Sequence, residues 1–209
     1  MKINPSFSHR LVLFCGPSGS GKTTIVHHLM SLFPSMRFSI SATTRPPREN
    51  EVHGRDYFFL TEAEFRTRLS EGHFLESEEV YPGRFYGTLK EEVDRILNEG
   101  NIALFDVDVV GGLQIKKHFG PQLLDVFVMP PSIDELHRRL VGRATESEES
   151  LMRRLGKAEN EMQSAFRFSH VIVNTQLAQA KLEAEALVRA FLTDEIPDPD
   201  EPSDSMGKQ

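Results

Sequence analysis

Eight residues, Gly16-Pro17-Ser18-Gly19-Ser20-Gly21-Lys22-Thr23, constrain this chain more than any other stretch. They match G-x-x-x-x-G-K-[ST], a loop that cradles phosphate groups between a strand and a helix. Both flanks fit. Upstream, Leu11-Val12-Leu13-Phe14-Cys15 is an unbroken apolar run, as expected of a strand buried on both faces of a parallel sheet. Downstream, Ile25, Val26, Leu29, Met30 and Leu32-Phe33 recur at helical spacing. The glycines let successive backbone N–H groups point inward at anionic oxygens, and a helix starting near Lys22 adds the positive end of its dipole. Residues Gly16 to Thr23, with Thr24 behind them, are therefore expected to hold a nucleoside triphosphate. Lys22 would reach its terminal phosphates and the Thr23 hydroxyl would ligate its Mg²⁺.

The 209 residues suit one domain with a small inserted unit. No apolar run approaches membrane-spanning length and no signal sequence precedes the first strand, so a cytoplasmic protein without membrane contact is expected. The single cysteine, Cys15, ends the buried strand and reads as a small core residue. From Asp194 onward six acids face only Lys208, so the tail carries −5 of the formal charge of −7. A near-neutral body argues against broad nucleic-acid binding. Positive charge gathers instead around Arg45–Arg55 and Arg138–Arg154, which suits a small, highly charged anion.

Taken in order, residues 1–9 read as a weakly ordered leader and Arg37–Ser41 as a short strand. Two prolines keep Thr43-Thr44-Arg45-Pro46-Pro47-Arg48 irregular, and its arginines and hydroxyls resemble an anion site, although these residues taken alone favour a solvated loop with surface arginines. Asp56–Leu60 reads as a strand, and Thr61-Glu62-Ala63-Glu64 as a capping box opening a helix to about Glu71. Strands at Phe74–Tyr81 and Arg84–Gly87 flank a Pro82-Gly83 turn. A parallel α/β pattern then resumes, with helices at Leu89–Glu99, Gly111–Phe119, Ser132 to Val141 and onward from Thr145, and Leu177–Leu192. Its strands are Asn101–Asp106, Leu123–Met129 and His170–Asn174. The predicted class is α/β: a three-layer P-loop core with a central parallel sheet at 10–36 and 89–192. A β-rich insert occupies 37–88, a helical lid about 138–155, and a disordered acidic tail 193–209.

Beside such a loop, an apolar strand ending in Asp106 suggests a second Mg²⁺ ligand, direct or through water. Asp108 has the same parity and would face the same side if the strand continued. Arg138, Arg139, Arg143, Arg153 and Arg154 bracket a glycine-containing turn. They either pair with Glu146, Glu148 or Glu149, or belong to a mobile lid that neutralises a transferred phosphoryl group.

These stretches, with Ser39–Arg48, Gly54-Arg55-Asp56-Tyr57, Gly72-His73-Phe74-Leu75-Glu76, Phe85-Tyr86-Gly87-Thr88 and Asp106-Val107-Asp108, follow the order of the guanylate kinases. The chain resembles that family over about residues 10–192. The resemblance implies transfer of the γ-phosphoryl group of ATP to GMP, and to dGMP, with Mg²⁺, by a monomer or small homo-oligomer. It implies that Arg45, Arg48, Tyr57 and Tyr86 bind the phosphate of GMP, and that Glu51 belongs to the GMP site. Ser41, Glu76, Gly87, Thr88 and Asp108 would surround guanine. Lys22, Arg45 and the lid residues Arg139, Arg143 and Arg154 would be catalytic, and Thr23 and Asp106 would hold Mg²⁺. One carboxylate accepting guanine N1–H and the exocyclic amine together would explain a glutamate at position 76. Ser77, Val110 and Thr175 depart from residues common in the family. Two other outcomes remain open: a related kinase with another acceptor, and a non-catalytic module that binds phosphorylated peptides.

Overall fold

The computed structural model describes residues 10–141 and 148–193. At its centre lies β1 (Leu11–Cys15), every residue of which is buried. It pairs in parallel with β7 (Ile102–Asp106) and β8 (Leu123–Met129), and these pair with the edge strands β2 (Met36–Phe38) and β9 (His170–Val173). The order β2-β7-β1-β8-β9 leaves no hairpin, so each crossover needs a covering segment.

The alternation of strand side chains divides the interior in two. Val12, Phe14, Leu104, Val126 and Val128 face α1 (Lys22–Leu32) and α7 (Leu177–Leu192), meeting Ile25, Leu29, Ala184 and Val188. Leu11, Leu13, Cys15, Phe105 and Phe127 face the other way, towards α3 (Lys90–Asn98) and α4 (Val109–Phe119), meeting Val93, Ile96, Ile115 and Phe119. Runs that are apolar at every position are what a sheet covered on both faces requires. Each fully buried Leu or Phe contributes about 1.5–3 kcal/mol. Asp125 interrupts β8 on the second face. It is satisfied by Lys116 Nζ at 3.0 Å and by the Ser169 amide and hydroxyl at 2.8 and 2.7 Å.

A second sheet of four strands, ordered β4-β3-β6-β5, is formed by β3 (Ser41–Thr43), β4 (Phe58–Phe59), β5 (Phe74–Tyr81) and β6 (Arg84–Leu89). Its own core is Ala42, Phe74, Phe85 and Leu89 around Phe65 of α2 (Glu62–Ser70), with the Phe65 and Phe74 rings stacked at 4.3 Å. The capping box at the start of α2 forms as expected: Thr61 Oγ1 accepts the Glu64 N–H, and the Thr61 N–H donates to Glu64.

Two expected elements differ. Arg37–Ser41 is not one strand: Arg37 and Phe38 pair in the core sheet, whereas Ser41 begins the second sheet, with Ser39-Ile40 as the crossing between them. The Asp56–Leu60 strand shrinks to Phe58–Phe59, since an Asp56 side-chain bond to the Val52 N–H folds the preceding residues into a turn. The strand before Asp108 ends at Asp106 as expected and does not continue, so Asp108 caps α4 through the Gly111 N–H at 2.9 Å. Helices α5 (Ile133–Val141) and α6 (Glu148–Met162) pack through Leu136, Leu140, Leu155 and Ala158. The leader, the acidic tail, Arg143 and the expected cap at Thr145 lie outside the described residues. Among the described residues, no helix is long and apolar enough to cross a membrane.

Candidate active site

A cleft of about 680 Å³ opens where the C-terminal ends of β1 and β7 meet the second sheet. This is where an open α/β sheet can receive a ligand, because the following helices begin there. One wall is the loop from Gly16 to Thr23. Its shape depends on glycine at two points. At Gly16, with φ +134°, a Cβ would lie 2.3 Å from the Val128 carbonyl oxygen. At Gly21, with φ +100°, a Cβ would lie 2.2 Å from Asn174 Nδ2. No side chain caps the start of α1 and no acid stands in its first turn, so its amide dipoles face the loop uncompensated.

Lys22 Nζ donates to the Gly16 carbonyl at 2.6 Å and to the Pro17 carbonyl at 3.2 Å, which draws its ammonium across the mouth of the loop. Beneath it, Thr23 Oγ1 donates to Asp106 Oδ2 at 3.3 Å. Burial raises the Asp106 carboxyl above its usual range, and the nearby Lys22 charge and the Thr23 hydroxyl offset part of that rise. These are the two residues expected to share Mg²⁺, and the fold brings their oxygens within 3.3 Å of each other. Hard oxygen donors of this kind suit Mg²⁺, which keeps several waters and phosphate oxygens and takes only one or two protein ligands. Among the described residues, no group of three His, Cys, Asp or Glu side chains forms a metal site of its own.

The opposite wall comes from the second sheet. Glu76 sits directly opposite Thr88, whose hydroxyl donates to Glu76 Oε1 at 2.6 Å. A register shift between Phe74 and Glu76 inserts one extra residue into β5. The shift lets Phe74 face the small core and Leu75 the large one, while Glu76 faces the cleft. Burial pushes the Glu76 carboxyl up to about 7, against the lowering effect of the Thr88 hydroxyl. Ser41, Tyr86 and Gly87 complete this wall, whereas Thr88 stands behind Glu76 and acts through it.

Arg45 does not line the cleft. Its guanidinium makes a bidentate pair with Glu51, at 2.7 and 2.9 Å, and lies 5.1 Å from the centre of the Tyr57 ring. That pairing, with the Arg48 N–H, holds the Glu51 carboxyl down to about 2. Arg48 contributes its amide here, and its residue is exposed. Glu51 thus occupies the forked donors with an anion from the same loop.

The arginines further along divide. Arg138 and Arg139 pair with Glu135 one turn back. Arg139 also donates to the Asn174 carbonyl at 2.9 Å and reaches the Ser20 carbonyl at 3.5 Å, and Asn174 Nδ2 donates to that same Ser20 carbonyl at 2.7 Å. Arg139 therefore stands behind the glycine loop, while Arg154 lines the cleft. Pro17 and Ser20 are buried and do not line the cleft.

Glu78, Lys157 and Glu161 are among the cleft residues that the sequence did not point to. Glu78 was legible in principle, since it shares the β5 face of Glu76 two residues away. Lys157 Nζ donates to Asp108 Oδ2 at 3.2 Å and lies 3.9 Å from Glu78 and 3.7 Å from Glu161. Only the Glu161 partner is on the same helix, so nothing local announced the others.

Residues 8–190 match the family described as Guanylate kinase. The guanylate kinase of Bacteroides thetaiotaomicron is 51% identical over 186 residues, covering 89% of this chain and 91% of that protein. That of Salinibacter ruber is 49% identical over 183 residues, covering 88% and 97%. The crystal structure of guanylate kinase from Anaplasma phagocytophilum superposes with a TM-score of 0.68 at 26% identity, covering 88% of this chain and 86% of that one. Sequence match and fold agree: this chain belongs to the guanylate kinase family.

Proposed function

We propose that this enzyme transfers the γ-phosphoryl group of ATP to GMP, with Mg²⁺, giving ADP and GDP, and that dGMP serves as a second acceptor. The observation carrying this reading is the glycine loop facing a buried, donor-seeking carboxylate across one cleft. The loop amides, the start of α1 and Lys22 would hold the donor's phosphates. Thr23 and Asp106 would hold Mg²⁺, which on binding supplies charge neutralisation at the phosphate oxygens.

The acceptor oxygen belongs to a phosphate already ionised at neutral pH, so the chain needs no general base. Its residues have two tasks, placement and charge. Glu76 would accept guanine N1–H and the exocyclic amine side by side, which adenine cannot supply. Arg45 and Arg48, with Tyr57 and Tyr86, would take the GMP phosphate, Arg45 exchanging Glu51 for it. Ser41, Gly87 and Asp108 would complete the guanine pocket. Arg154, with Arg139 behind the loop and Arg143, would offset charge on the phosphoryl group in flight.

The test is ADP release with ATP and Mg²⁺ against GMP, dGMP, AMP, CMP and UMP in parallel. Turnover confined to the guanine nucleotides is expected. Turnover with none of them would exclude the reading, and equal turnover with AMP would exclude Glu76 as the selecting group.

A further inference from the structure

We propose that Lys157 is a positioning residue for the acceptor base: it holds the Asp108 carboxylate in the place in which Asp108 reads guanine, with Glu78 as its counterpart on β5. This rests on the proposed placement of guanine beside Glu76 and Asp108.

Lys157 is on α6, Asp108 starts α4 and Glu78 is on β5, so three separate segments meet at one ammonium. Both Asp108 oxygens are engaged. Oδ1 accepts the Gly111 N–H at 2.9 Å and Oδ2 accepts Lys157 at 3.2 Å, which fixes the plane of the carboxylate. Glu78 is pushed up to about 7, chiefly because it meets the Asp108 carboxylate and can bond to it only as the protonated acid. Burial would lower the Lys157 ammonium, but Asp108, Glu78 and Glu161 outweigh it, so the lysine stays charged.

An arrangement serving stability alone would balance its charges. Here three carboxyl groups lie within 3.9 Å of Lys157 Nζ, and Glu78 Oε2 is buried without a donor. Acceptors thus outnumber donors at the face where guanine would bring N1–H and an amine. One lysine bridges these carboxyl groups, and without it Asp108 Oδ2 would lose the donor that fixes its direction. Its charge acts on the base through Asp108, without contact to the reacting phosphates.

The experiment measures KM for GMP and for ATP, kcat and Tm in Lys157→Met, Lys157→Arg, Asp108→Asn and the Lys157→Met/Asp108→Asn double variant. Asparagine keeps the helix cap, so α4 should survive. Lys157→Met should raise KM for GMP about tenfold, the scale of one hydrogen bond to a charged group, with KM for ATP and Tm unchanged. Lys157→Arg should recover most of the loss. The double variant should be no worse for GMP than Asp108→Asn alone, because both changes break one connection. An unchanged KM for GMP in Lys157→Met, beside a raised one in Asp108→Asn, overturns this inference alone. An unchanged KM for GMP in Asp108→Asn overturns the guanine placement and this inference with it. A Lys157→Met effect that follows Tm and moves both KM values equally, without rescue by arginine, shows a merely structural lysine and also overturns it.

Discussion

The Thr88 hydroxyl donates to Glu76 Oε1 at 2.6 Å between directly paired residues of β6 and β5. The bond orients one carboxylate oxygen and leaves the other, Oε2, close to the start of α4, where a Cβ on Gly111 would stand 2.8 Å from it. A buried acid with a single side-chain donor is held in place but not satisfied, and a ligand with paired N–H groups would complete it.

Glu76→Gln should raise KM for GMP about 100-fold, since two hydrogen bonds to a charged acceptor are lost and an amide donor opposes the guanine amine. Affinity for ATP should stay within about twofold. Steady-state kinetics with each substrate varied in turn would check both, and equal effects on the two substrates would contradict the assignment.

The raised Glu76 carboxyl sets a pH dependence. GMP needs the ionised form, so KM for GMP should be flat above about pH 7 and climb towards tenfold per unit below it. The sign for stability is opposite. An acid raised in the folded state contributes stability present below about 4.5 and lost as pH rises through about 7. Without nucleotide, Glu76→Gln should therefore be more stable than the parent at pH 8, by about 1–3 kcal/mol, and equal to it near pH 5. Thermal melts at the two pH values would decide, and a parent more stable at pH 8 would contradict the buried-charge account.

Lys22→Met should lower kcat by roughly 10²–10³-fold or more while keeping the fold, because only two carbonyl contacts are lost at a partly exposed site. Circular dichroism and ADP release, measured on the same sample, separate the two effects. Near-parental turnover would remove the loop lysine from the mechanism.

Asp106→Asn should shift the Mg²⁺ concentration for half-maximal rate upward by about tenfold or more, since a neutral amide is a weaker ligand for a hard cation. Chelation should abolish turnover in the parent. A Mg²⁺ titration that superposes on the parent's would assign Asp106 to the strand end alone.

Gly16→Ala should cost roughly 3 kcal/mol or more, because the new Cβ would meet the backbone oxygen of Val128 and the positive φ adds strain. Gly100→Ala is the control: its φ of +77° is similarly unfavourable, but the space around it is open, so about 1 kcal/mol is expected. Denaturant midpoints would rank them, and equal losses would mean that the contact with Val128 relaxes freely.

Sequence alone determined what depends on near neighbours. The apolar run Leu11–Cys15, the glycine loop and the helical spacing after it placed the central strand and the phosphate wall, since backbone period and steric freedom are set within a few residues. The capping box at Thr61 and the extent of α7 were legible for the same reason. Thr23 and Asp106 could be paired because a strand end beside a glycine loop is a fixed relation in this architecture.

What tertiary structure decided lies between segments distant along the chain. The division of Arg37–Ser41 between two sheets depends on which partner strand each half meets, and that is not encoded in five residues. The register shift that turns Glu76 to the cleft is a compromise between two cores competing for Phe74 and Leu75. Arg45 is held by Glu51, and Arg139 by Glu135, Ser20 and Asn174, because a charge buried by folding takes the acceptor that folding brings near. Lys157 shows the limit most clearly. Its i+4 partner Glu161 was visible in the sequence, but Asp108 and Glu78 reach it only once α4, α6 and the second sheet are assembled around one cleft, where the low dielectric makes their charges interdependent.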